Sequence, residues 1–269
     1  MPATFPPHAA AVLPLKLWRP RRFDGVALVV GSAAPDIYYA VVGFVDFPAT
    51  HDVPALLWFS LPATLVVTWL FRRAAPIVAA HLPARPQWLA LPDYGALGRV
   101  RHRWYVTVGS ALIGAASHLV WDGLTHYPGT EHGWMVELVP GLTAEPWPGT
   151  PVWWLAQHVS TVLGALAALA VAAHLGRRRL LRRWHGGPPP VTRTPWVFWP
   201  VAAAVAASYP LTWPHLPHQW TPYVQGVRML WAVALGLLAG AAAASLAARR
   251  RTSPRVPVRS HEGGRGMPG

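Results

Sequence analysis

The chain has 269 residues, of which 53% are hydrophobic and 12% are charged, and its mean hydropathy of +0.27 favours an integral membrane protein over a soluble domain. The net charge of +13 does not indicate nucleic acid as a partner, because aromatic residues are not interleaved with the basic blocks as stacking platforms require. The chain has no cysteine, which excludes disulfides and thiolate metal ligands.

Six apolar runs follow one another, each near the length of about 20 residues that a membrane-spanning helix needs. They are approximately residues 24–43, 54–71, 104–120, 152–175, 196–211 and 223–248. An apolar segment, 5–17, precedes them and is expected to be re-entrant or interfacial. The sequence therefore predicts an all-α integral membrane helical bundle of about six transmembrane helices. It forms a single polytopic membrane domain over residues 1–251, followed by a disordered basic tail, 252–269.

The basic residues predict how this bundle is oriented. Loops 44–53, 121–151 and 212–222 contain no Lys or Arg, whereas the alternate loops are rich in arginine. Because cytoplasmic loops retain Lys and Arg, both termini are predicted to be cytoplasmic. Arg228, early in the sixth run, is the exception. The expected location is multi-pass in a bacterial plasma membrane, with membrane lipids as partners.

Ionisable residues interrupt the third run and the residues after it, in the stretch SHLVWDGLTH, 117–126. His118, Asp122 and His126 follow at four-residue intervals and so share one helix face. An aspartate exposed to lipid would cost several kcal/mol or be protonated, so this face is predicted to point into the bundle.

Polar groups on other helices are predicted to meet that face. At about 1.5 Å of rise per residue, Asp36 in the first run and His158 in the fourth lie at a depth similar to that of His118. Asp36 belongs to the stretch SAAPD. Because Pro35 lacks an N–H group, this stretch is expected to kink or break its helix.

Carboxylate and imidazole without thiolate suit Zn²⁺, with Mn²⁺ or Fe²⁺ as alternatives. Such a metal lowers the pKa of bound water to about 7 and supplies hydroxide for hydrolysis. No nucleotide or organic cofactor is indicated. The alternative is that the polar residues form a buried hydrogen-bonded network between helices, or a proton or ion relay in a transport or assembly protein.

Five features together resemble a family of bacterial polytopic membrane proteins of unknown function: FPPHAAAVLPL, VGSAAPDIYY, His51, SHLVWDGLTH and QHVSTVLG. The resemblance covers roughly residues 1–250. That family is distantly similar to membrane-bound metal-dependent hydrolases, and its His and Asp pattern resembles that of zinc-dependent phospholipase C. The resemblance implies six metal-binding candidates: His8, Asp36, His51, His118, Asp122 and His126.

His8 conflicts with the predicted topology, since it precedes the cytoplasmic Lys16 and Arg19 whereas the other candidates lie in the outer half of the membrane. Either the segment around His8 dips into the bundle, or His8 is not part of the site. The expected function is a metal-dependent hydrolase acting on an ester or phosphoester of a lipid or envelope component. The alternative is a non-enzymatic membrane protein for transport, assembly or partner binding, in which the buried His and Asp residues form a structural network or a proton or ion relay.

Overall fold

The structure is a computed structural model that describes residues 5–130, 132–218 and 220–252. Within these residues it is all-helical and contains no β-strand. The α-helices are α1 (Phe5–Trp18), α2 (Gly25–Gly31), α3 (Leu61–His81), α4 (Trp104–Thr125), α5 (Val152–Arg177), α6 (Leu180–His185), α7 (Pro195–Thr212) and α8 (Pro222–Thr252). A π-helical turn, Leu56–Ser60, leads into α3, and shorter 3-10 segments include Pro35–Ala40 and Leu91–Arg99. The predicted basic tail lies outside the described residues, apart from Thr252 at the end of α8.

Three helices among the described residues are long and apolar enough to cross a membrane: Leu56–His81, Val152–Arg177 and Pro222–Arg250. Only 6% of the most apolar part of α5 is buried. Its surface presents Val162, Leu163 and Leu166, each with more than half of its area exposed. Large exposed apolar surfaces of this kind mark contact with lipid or a partner, as expected of a membrane protein.

The first apolar run does not form one helix. Asp24 caps α2, its Oδ1 accepting hydrogen bonds from the N–H groups of Val26 and Ala27 at 3.2 and 3.3 Å. The helix ends at Gly31, and the chain resumes as the 3-10 segment Pro35–Ala40. The break predicted at SAAPD is therefore present within the first apolar run. Pro35, which lacks an N–H group, begins the second segment and accounts for the break.

The loops around Arg228 explain why this basic residue lies in an apolar run. Its guanidinium is buried and donates hydrogen bonds to the carbonyl oxygens of Pro217 at 2.6 Å and Val42 at 2.7 Å. The charge thus satisfies backbone groups that have no helical partner. This contact attaches α8 to the chain that follows Pro35–Ala40.

Glycines bring α2 and α4 into close contact. A Cβ atom on Gly114 would lie 2.4 Å from the carbonyl oxygen of Leu28, and one on Gly31 would lie 2.4 Å from that of Ala111. Backbone atoms cannot yield as a flexible side chain can. The close approach places Ser32, directly after α2, beside the C-terminal half of α4.

Gly114→Ala is expected to lower stability by about 1–3 kcal/mol, because the new methyl group must push α2 away from α4. Gly109→Ala is the matched control on the same helix, since a Cβ there meets nothing within 4 Å. That variant should be neutral or more stable by up to about 1 kcal/mol. The check is thermal unfolding of both variants in detergent, and equal unfolding midpoints would contradict the prediction.

Candidate metal centre

Six polar residues from distant parts of the chain meet at one point in the bundle, and we call them the His/Asp cluster. α1 contributes one of them, the 3-10 segment Pro35–Ala40 one, the turn before Leu56–Ser60 one, α4 two, and the residue after α4 one. In chain order they are His8, Asp36, His51, His118, Asp122 and His126. All six predicted candidates therefore lie together, although their role as metal ligands stays a prediction.

Four members of the His/Asp cluster form a group that could hold a metal ion. One ligand atom from each of Asp36, His51, His118 and Asp122 lies within 4.8 Å of the others. The His51 Nε2 to Asp36 Oδ1 distance is 3.2 Å, and the His118 Nε2 to Asp122 Oδ2 distance is also 3.2 Å. Two donor atoms on one tetrahedral zinc are about 3.3 Å apart, given metal–ligand bonds of about 2.0–2.1 Å. The group is therefore spaced for coordination.

The orientation of His118 favours ligation. Its Nδ1 lies 2.8 Å from the carbonyl oxygen of Ser32. A carbonyl can only accept, so Nδ1 carries the proton and Nε2 presents its lone pair to the two carboxylates when the ring is neutral. Ring orientation by a second hydrogen bond is typical of metal-binding histidines. The Nε2 atom is buried without a hydrogen-bond partner.

His51 is held in a similar way. Its Nδ1 lies 3.1 Å from the hydroxyl oxygen of Thr50, and its Nε2 points to Asp36. The imidazole is buried, whereas Asp36 is partly exposed. Sequence spacing alone did not single out His51 from other loop histidines, since nothing local shows that residues 50–51 return to the bundle.

His8 and His126 complete the His/Asp cluster on the other side of Asp122. His8 Nε2 lies 3.4 Å from Asp122 Oδ1, and His126 Nδ1 lies 3.6 Å from the same oxygen. The His8 ring stacks on His118 with centroids 4.0 Å apart. Of the two alternatives for the N-terminal segment, the structure has the one in which it enters the bundle, as the regular helix α1.

His158 is not part of the His/Asp cluster. Its Nδ1 donates to the carbonyl oxygen of Trp154 at 2.8 Å on its own helix, and its ring packs on Trp154. Gln157, one residue earlier, faces inward instead, with its amide Nε2 3.0 Å from His126 Nε2. His158 lies at a depth similar to that of its neighbour Gln157 but on a different face of α5, since adjacent residues are about 100° apart around a helix. Within QHVSTVLG, the inward contacts come from Gln157 and from Gly164, on which a Cβ would lie 2.5 Å from Pro7 of α1.

His132 lies beside the His/Asp cluster, although the sequence does not mark it as a metal-binding candidate. Its ring centroid is 4.2 Å from that of His51, and its Nε2 is 3.0 Å from the hydroxyl oxygen of Tyr39. Burial, followed by nearby His51, lowers the pKa of His132 to about 4, so its imidazole is neutral at pH 7. Only its position in the mildly acidic segment 121–151, which contains no Lys or Arg, could have suggested it.

The family profile described as "Domain of unknown function (DUF4184)" matches residues 1–249. No curated protein and no solved structure matches the chain. The family match covers all six members of the His/Asp cluster, the helices α1 to α7, and α8 as far as residue 249. The chain belongs to the DUF4184 family.

Proposed function

We propose that this protein is a membrane-embedded metal-dependent hydrolase acting on an ester or phosphoester of a lipid or envelope component. The observation that carries the proposal is the buried group of Asp36, His51, His118 and Asp122, whose ligand atoms lie within 4.8 Å of one another. Zn²⁺ is the ion that this donor set favours, with Mn²⁺ or Fe²⁺ as alternatives.

The energetics of burial support a cation at this point. Placing a carboxylate away from water costs several kcal/mol unless it is paired and hydrogen-bonded. His118 Nε2 is buried without a hydrogen-bond partner and lies 3.2 Å from Asp122 Oδ2. A divalent cation between these two atoms would satisfy the lone pairs of both at once.

A metal ion in such a site lowers the pKa of a coordinated water molecule to about 7 and polarises the substrate oxygen. In the proposed reaction, water adds to the carbonyl carbon or to the phosphorus. The bond from that atom to the leaving-group oxygen breaks, and the water proton ends on this oxygen. Asp36 and Asp122 supply negative charge that retains the cation, while the hydrogen bonds to Ser32 and Thr50 keep two imidazoles in place.

The proposal includes a multi-pass position in a bacterial plasma membrane. The end of the bundle opposite the His/Asp cluster carries Lys16, Arg72 and Arg179, which favours placing it at the cytoplasmic face. The cluster then lies in the outer half of the bilayer. α2 is too short to span alone, and the count of six spans and the cytoplasmic termini stay predictions.

The metal content of the detergent-purified protein tests the proposal, measured by mass spectrometry beside the double variant Asp36→Ala, His118→Ala. We expect at least one zinc, manganese or iron ion per chain in the parent and loss of metal in the variant. His158→Ala is the matched control, because this histidine lies outside the His/Asp cluster, and it should bind as much metal as the parent.

A well-folded parent that binds no metal after supplementation would overturn the hydrolase proposal and leave a hydrogen-bonded network between helices. If metal is bound, a screen of carboxylic-ester and phosphoester substrates follows. Turnover should disappear on chelation and return when the metal is restored.

A further inference from the structure

The two carboxylate oxygens of Asp122 face different sets of histidines. Oδ2 lies 3.2 Å from His118 Nε2 and 4.0 Å from His51 Nε2. Oδ1 lies 3.4 Å from His8 Nε2 and 3.6 Å from His126 Nδ1. The candidate site formed by Asp36, His51, His118 and Asp122 uses the Oδ2 side of this carboxylate. His8 and His126, on the Oδ1 side, are not used by that site.

The Oδ1 side offers one carboxylate oxygen and two imidazole nitrogens to a second ion. The Asp122 side chain is 5% exposed, and its Oδ1 has no hydrogen-bond partner. A small cavity of about 10 Å³ is lined by His8, Asp122 and His126, which is close to the space that one water molecule or ion needs. Both distances from Oδ1 to an imidazole nitrogen are near the spacing of about 3.3 Å expected for two ligands on one tetrahedral zinc.

Gln157 fixes the ring of His126, and the proposed site requires one of the two orientations of its amide group. The amide and the His126 Nε2 atom are 3.0 Å apart. When the amide is rotated by 180°, its Oε1 accepts a hydrogen bond from Nε2–H, and His126 Nδ1 then presents its lone pair toward Asp122. The stacking of His8 on His118 similarly holds the second imidazole in place.

We propose that the centre binds two metal ions bridged by Asp122, the second of them held by His8, Asp122 Oδ1 and His126. This inference rests on the proposed metal-dependent function and, of its two substrate classes, favours the phosphoesters. Two ions about 3.5–4 Å apart, which a carboxylate bridge produces, stabilise both the attacking and the leaving oxygen of a phosphoryl group. The cavity also touches Ser160 and Thr161 of α5, so the second ion lies on the side that opens between α1, α4 and α5.

Zinc stoichiometry tests the second site. The full-length protein is stripped with a chelator in detergent, titrated with zinc chloride, freed of excess ion and analysed by mass spectrometry. We expect two zinc ions per chain in the parent and in the control His158→Ala, and one in His126→Ala and in His8→Ala. Either of two results would overturn the second site: one ion per chain in the parent, or any count other than one in a folded His126→Ala variant.

The same experiment separates this inference from the function on which it rests. One ion per parent chain, lost in Asp36→Ala, His118→Ala but kept in His126→Ala, rejects the bridge and leaves the hydrolase proposal intact. If the parent binds no ion, both the second metal site and the hydrolase proposal are rejected.

A second measurement needs no variant and so avoids any failure to fold. Electron paramagnetic resonance of the manganese-loaded parent should show the multiline signal of two spin-coupled ions. The six-line signal of isolated Mn²⁺ alone at saturating metal would overturn the proposal.

Discussion

Replacing Asp122 by Asn is expected to lower metal-dependent turnover by at least about 100-fold while the chain stays folded. Asp122 lies within 4.0 Å of His8, His51, His118 and His126, so its carboxylate is the centre of the His/Asp cluster. Asparagine has the same shape but carries no charge and offers one oxygen in place of two. Even the partners of metal ligands cost about 10–100-fold when they are lost, so a direct ligand should cost more.

The check on Asp122→Asn combines metal content, turnover of the best substrate from the screen and circular dichroism. Asp46→Asn is a suitable control, because Asp46 is exposed in the loop that precedes His51. A purely structural network predicts a different result, namely an altered unfolding temperature with metal content and turnover equal to those of the parent. That result would contradict the proposal that Asp122 is a metal ligand needed for hydrolysis.

The largest loss of stability is expected from Asp24→Asn, at the other end of α4. Asp24 is fully buried and accepts hydrogen bonds from Arg72 and, at 2.8 Å, from the Thr107 hydroxyl. Breaking a buried ion pair by removing one partner costs about 3–5 kcal/mol, because the other charge is left uncompensated. Asparagine can still cap α2 through its side-chain oxygen, so the substitution isolates the effect of the charge.

Thermal unfolding in detergent measures this effect, and the double variant Asp24→Asn, Arg72→Gln provides the control. It should unfold at a higher temperature than the single variant, since no unpaired charge remains. Metal content per folded chain should match the parent, because Thr107 and His118 are about 16 Å apart along α4. An unfolding temperature for Asp24→Asn equal to that of the parent would show that the ion pair does not stabilise the fold.

Composition and local periodicity were sufficient for the fold class and for part of the site. A mean hydropathy of +0.27 and runs of about 20 apolar residues predicted membrane-spanning helices, and α3 with the turn before it, α5 and α8 are long and apolar enough to cross a membrane. His118 and Asp122 were predictable as one buried face because residues four apart on a helix share a side, whatever surrounds it.

Whether the remaining residues join the His/Asp cluster depended on how the helices are arranged. His8 joins Asp122 because α1 packs through Pro7 against Gly164 of α5, and His51 joins because a loop returns to the bundle. Helix depth can be counted from the sequence, but the order of helices around the bundle and the face each one presents cannot. His158 and Gln157 show the difference: they are neighbours at one depth, and packing against α1 and α4 turned only Gln157 inward. The sequence by itself thus determined a membrane helical protein with a buried polar face on α4, and only the tertiary structure decided which distant residues meet that face. The physical reason is that helical periodicity is a local property of the chain, whereas the convergence of ligands depends on contacts between segments far apart in sequence.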